Sequence, residues 1–165
     1  MKRITSRAFT LVETLVAVTI LTLSVAGPLF TANRAIVAAQ NARDQLTASY
    51  LAQEGIEYMR AVRDDEYLEA YPNTGTAWAN FLSSMNQCRN LEICTLGKKP
   101  GGIGSLPLVS CPGGVCTTTF TLLSGGTPYL RTIQVVDASP GGLTAARVVS
   151  TVSWNFHSVP YSVSI

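Results

Sequence analysis

The sequence predicts an α+β fold in which a long N-terminal helix packs against a small antiparallel β-sheet. Two patterns carry that prediction. Small and apolar residues recur three or four apart from Ala35 to Met59, the spacing of one helix face. From Thr117 onward the period shortens to that of strands rich in Val, Ile, Thr and aromatics, separated by Gly, Pro and Ser. A third observation sets where the helix begins: no charged side chain lies between Glu13 and Arg34.

That uncharged run of about 20 residues matches the hydrocarbon thickness of a bilayer at 1.5 Å per helical residue. Ahead of it, Lys2, Arg3 and Arg7 form a short basic segment, which predicts a cytoplasmic N-terminus and export of the chain beyond the apolar run. The chain therefore divides into residues 1–8, a leader; 9–33, a membrane-length helix; 34–71, its amphipathic continuation; and 72–165, a lobe. Within the helix, Gly27-Pro28 predicts a kink or a locally melted turn, because proline lacks the backbone donor and crowds the preceding turn. Ala35, Ala39, Ala42, Leu46, Ser49, Gln53, Ile56 and Met59 mark the expected packing stripe, with Gly55 a weak point in it. Tyr71-Pro72-Asn73-Thr74-Gly75 supplies the stop.

In the lobe, Trp78, Phe81, Leu82 and Met85 predict a short second helix. Residues 97–114 read as loop, ending in the turn Cys111-Pro112-Gly113-Gly114-Val115-Cys116. Three or four strands are expected over 117–123, 129–137, 145–156 and 161–165, forming an antiparallel meander that the back half of the long helix covers.

Composition narrows the function. The formal charge of +2 resides in the leader: cutting after Ala8 leaves nine basic against ten acidic residues. A chain-wide grip on nucleic acid is thus not predicted, and the pair Lys98-Lys99 is too small a patch to indicate one. Cys88, Cys94, Cys111 and Cys116 fit disulfides in an exported lobe better than a metal site, since their spacings are wide and no histidine is near. Three connectivities are open, with Cys88 to Cys94 and Cys111 to Cys116 favoured. His157, the single histidine, falls in a turn and reads as solvated. Glycine pairs at 101–102, 113–114, 125–126 and 141–142 lack the strand-to-helix context of a phosphate loop. Arg60, Arg63, Asp64, Asp65 and Glu66 read as a solvated helix end. No catalytic, cofactor-binding or metal-ligating set emerges, so an enzyme is not predicted.

Glu13 is the anomaly. A lone carboxylate in an apolar helix is costly to place in lipid and needs a partner. Cleavage between Ala8 and Phe9 would create an α-amine four residues away, close enough to pair within one helix or with a neighbour in a parallel bundle. The second arrangement would set axial register, as a buried polar residue does in a coiled coil.

Ala8-Phe9-Thr10-Leu11-Val12-Glu13 resembles the processing motif of type IV pilins and pseudopilins, and Arg131-Thr132-Ile133 with Val148 to Trp154 resembles the strands of their minor members more loosely. The resemblance implies the pilin fold, cleavage by a prepilin peptidase, N-methylation of Phe9, and docking through Phe9 and Glu13. It also implies partners: other pilin subunits and an inner-membrane assembly platform with its ATPase. A single-pass inner-membrane precursor would then become a cell-surface filament. One residue departs from the pattern, Ala8 standing where the family favours Gly. The competing expectation is a monomeric, membrane-anchored binding domain behind an ordinary signal anchor, or a signal peptide cut after Ser24-Val25-Ala26.

Overall fold

The computed structural model describes residues 10–89, 92–97, 108–116, 119–120, 127–138 and 145–165. It is of the α+β class: one long N-terminal helix, α1 (Leu11–Glu69), a short helix α2 (Ala77–Ser84), and an antiparallel sheet. The chain falls into two units, residues 1–42 and 43–165.

In the first unit α1 is apolar on every side. Leu11, Val12, Leu15, Ile20, Leu23 and Phe30 are all exposed within the chain, and by length and composition the segment is suited to crossing a membrane. Helical structure continues through Gly27-Pro28, so the melted turn expected there is absent. Local hydrogen bonding supports the continuation: Thr31 Oγ1 donates to the Pro28 carbonyl at 2.9 Å and reaches that of Gly27 at 3.3 Å. At the end of the apolar run the Arg34 guanidinium lies over the Phe30 ring, 4.4 Å from its centroid.

In the second unit the helix ends at Glu69, just ahead of Pro72, where the terminator sequence places it. A 3₁₀ turn (Thr74–Thr76) leads into α2, and another (Asn86–Cys88) leads out of it. The strands are β1 (Cys94–Leu96), β2 (Leu108–Ser110), β3 (Thr119–Phe120), β4 (Tyr129–Ala138), β5 (Ala145–Phe156) and β6 (Val159–Ser164). They run in the order β2-β1-β4-β5-β6, with β3 sharing the β1 edge of β4 further along. β1 and β2 lie ahead of the stretches expected to form the meander. β2 occupies a stretch predicted as loop, and both it and β1 are three residues long, too short to show a period in sequence. The long ladder of β4 and β5 pairs Tyr129 with Trp154 and Ala138 with Ala145 at its two ends.

The packing stripe on the helix differs from the expected one. Ala48, Ala52, Gly55 and Met59 are buried, whereas Leu46 is 61% exposed and Gln53 is exposed. The physical reason is distance of approach: a helix lying close on a sheet needs small residues at the contact, and Leu46 is too large for it. Two apolar clusters result. One gathers Met59, Phe81, Met85, Leu96, Ile133 and Val135 around the Cys88–Cys94 disulfide. The other sets Ala48 and Ala52 over a cross-strand row in which Trp154 lies 6.1 Å from the Tyr129 ring and 5.8 Å from that of Tyr161.

Candidate assembly site

Of the residues that sequence points to, Ala8 and Phe9 lie outside the described residues. Glu13 is described. It sits in the first turn of α1, where a negative side chain is favoured by the helix dipole. Thr10 precedes the helix and accepts the Glu13 backbone N–H on Oγ1 at 3.3 Å. Thr10-Leu11-Val12-Glu13 thus places a Thr cap and a Glu at the two positions of a capping box.

Beyond that first turn every side-chain hydroxyl of the apolar run is satisfied by the helix itself. Thr14 Oγ1 donates to the Leu11 carbonyl at 2.9 Å, Thr19 to Val16 at 2.8 Å, Thr22 to Thr19 at 2.9 Å and Ser24 to Leu21 at 2.8 Å. Thr31 does the same at Pro28. Such back-bonding removes the cost of carrying hydroxyls into an apolar medium. Sequence inspection missed this because composition registers these residues only as polar. Glu13 differs from them. Among the described residues its exposed carboxylate has no ion-pair partner, and no described side chain of the apolar run carries a positive charge.

The lobe holds its functional shape through polar contacts that sequence did not reveal. Arg131, on β4, is 1% exposed, and its Nη1 donates to Glu54 Oε2 at 2.6 Å and to the Leu51 carbonyl at 3.0 Å. One arginine therefore joins the sheet to both a backbone and a side-chain acceptor on the helix. Nearby, Asp44 accepts from the Tyr129 hydroxyl at 3.2 Å and from Thr127 Oγ1 at 3.3 Å. Burial, and then the Asp44 charge beside it, hold the Tyr129 hydroxyl above the usual phenol range. The Arg131–Glu54 and Tyr129–Asp44 partners are 77 and 85 residues apart, so no local pattern signals them.

Both cysteine pairs are local: Cys88 is bonded to Cys94, and Cys111 to Cys116. The first ties the turn after α2 to β1 beneath the sheet, and the second closes the Pro112–Gly114 turn, where Gly113 and Gly114 have φ of 65° and 79°. Arg89 adds a two-pronged contact to Asp137, at 2.9 and 2.8 Å. His157 and Ser158 form the two-residue turn between β5 and β6, both with positive φ.

A family model for the prokaryotic N-terminal methylation motif matches residues 3–27. No curated protein and no solved structure matches the chain. The matched stretch contains Arg3 and Arg7, the Ala8-Phe9 junction, Thr10, Glu13 and most of the uncharged run. That motif at its N-terminus, a membrane-capable apolar helix behind it and an antiparallel sheet are the features of a type IV pilin-like precursor, which the chain resembles.

Proposed function

We propose that this chain is a structural filament subunit, stored in the inner membrane and assembled with other pilins into a pilus or pseudopilus. A prepilin peptidase cuts between Ala8 and Phe9, and Phe9 is N-methylated. Parallel apolar helices then bundle into the filament core, driven out of the membrane by a platform protein and its ATPase. Glu13 docks on the α-amine of a neighbouring subunit's first residue, which sets the axial register.

One observation carries this reading: the first unit of α1 satisfies all its hydroxyls internally yet leaves a single carboxylate without a described partner. Coulombic attraction between that carboxylate and an ammonium grows as water is excluded, and pairing relieves the desolvation of both. A plain membrane anchor has no use for such a charge. Ala8 keeps the small side chain that the cut requires, one methyl larger than the Gly that the family favours.

The test is to purify surface filaments from cells expressing the chain and to measure the mass of its N-terminus. Methylated Phe9 is the expected result. An N-terminus at Gly27, or a chain recovered only as an uncut membrane monomer, would overturn the proposal.

A further inference from the structure

On the second unit, a cavity of about 250 Å³ opens between α1, α2 and β5. Its floor is apolar, formed by Met59, Phe81 and Val148, and two of these belong to the buried core. Arg60 and Arg63 stand along one wall. Trp78 also lines it, and its Nε1–H is shielded from solvent with no acceptor among the described residues. A buried donor left without an acceptor is disfavoured and uncommon in folded proteins.

Both arginines are engaged only weakly. Arg60 pairs with Glu57 and Arg63 with Asp64, and all four side chains are between 45% and 64% exposed. Exposed pairs of this kind contribute little, so either guanidinium can turn towards a ligand at small cost. An apolar floor and two guanidinium forks together make a complementary set for one chemistry: a carboxylate on a compact apolar body. An amine would face two like charges, and an alcohol would leave both forks unused.

We infer that this groove is a binding site for a small amphipathic carboxylate, of the size of a phenylalkanoate. The carboxylate sits against Arg60 and Arg63, and the apolar body covers Met59 and Phe81 beside the Trp78 ring. The same chemistry exists in a free acid and in the C-terminal residue of a peptide, and the experiment separates these. The inference does not depend on polymerisation, so it stands or falls apart from the proposed function.

Full-length chain in detergent micelles, labelled with ¹⁵N, is titrated with 3-phenylpropanoate, and the two indole N–H signals of Trp78 and Trp154 are followed. The Trp78 signal is expected to shift saturably while that of Trp154 stays still. 3-Phenylpropylamine and 3-phenylpropanol should bind at least tenfold more weakly. Arg60→Gln/Arg63→Gln should lose at least tenfold in affinity for the acid, with the Trp154 signal in its original place reporting an intact fold. A short peptide ending in Phe is then compared with its C-terminal amide. Tight binding of the peptide acid alone identifies a peptide terminus as the source, and binding of phenylpropanoate alone identifies a free acid. No saturable shift at Trp78 with either 3-phenylpropanoate or the peptide acid, an equal response to the amine or alcohol, or unchanged affinity in the double variant would each overturn the inference.

Discussion

A Cβ built on Gly55 would stand 2.6 Å from Ser150 Oγ and 3.3 Å from Arg131 Cδ. In an isolated helix, Gly55→Ala would be favourable by about 0.5–1 kcal/mol, the usual gain of Ala over Gly. Here overpacking against a buried serine wins, because forced shifts in a packed interface cost about 1–3 kcal/mol. Gly55→Ala is therefore expected to lower the urea midpoint of the full chain; an unchanged or raised midpoint would show that the contact yields. Tyr129 gives a second prediction, in pH. Its hydroxyl is held protonated in the fold beyond the ordinary phenol value, so the fold binds a proton that the unfolded chain has released. That contribution is complete below pH about 10 and is lost as pH rises from there through the folded value. Tyr58 is raised by burial too and acts in the same direction. Tyr129→Phe should lower stability at neutral pH, by the lost bond to Asp44, and flatten the decline that sets in from pH about 10 upward. A melting series across that range would show an undiminished slope if Tyr129 were not the group responsible.

Among the elements, the β5–β6 hairpin carries an unusual turn. Two-residue turns with positive φ at both central positions favour Asn-Gly, yet here His157 has φ of 48° and Ser158 of 66°. Each L-residue held there is disfavoured by about 1 kcal/mol relative to the preferred residues. His157→Asn/Ser158→Gly should therefore raise the thermal midpoint, through a stability gain of about 1–2 kcal/mol. A fall would mean that the His157 ring, 4.4 Å from Phe156, packs more effectively than the turn strain costs. The disulfides differ in setting. Cys88 and Cys94 are fully buried in the larger cluster, while the other pair closes a turn whose Val115 is 66% exposed. Loops of this length predict about 2–3 kcal/mol of chain-entropy stabilisation for each bond. Cys88→Ser/Cys94→Ser should cost more than that, because two hydroxyls enter the larger cluster, whereas Cys111 and Cys116, 2% and 7% exposed but outside both clusters, should cost less when both are replaced by Ser. Equal losses in denaturant titrations would refute the distinction.

At the scale of the whole molecule, one prediction isolates the assembly role of Glu13 from membrane insertion. Removing a carboxylate makes the apolar segment easier to place in lipid, so Glu13→Ala should insert at least as well as the parent chain. If Glu13 docks on a neighbour's amine as proposed, incorporation into filaments should nevertheless collapse. Normal incorporation measured on sheared filaments would show that register is set elsewhere.

Local chemistry accounts for everything that sequence alone determined. The charge gap between Glu13 and Arg34, the basic residues before it and the Ala8 to Glu13 motif all lie within one short stretch, and residues 3–27 suffice for the family match. The stop before Pro72, the short helix at Ala77–Ser84 and the three longest strands were legible for the same reason, each being long or punctuated enough to show a period. Tertiary structure decided the rest. Which face of the helix is buried depends on how near the sheet comes, and Ala48, Ala52 and Gly55 meet that condition where Leu46 does not. β1 and β2 exist because Ile133 and a disulfide hold them, not because three residues prefer to be extended. Arg131 finds Glu54, and Tyr129 finds Asp44, across separations that no spacing rule spans. Gly55 read as a weak point in a helix and is instead a point of close contact with the sheet, since a missing side chain acquires meaning only from what stands opposite it.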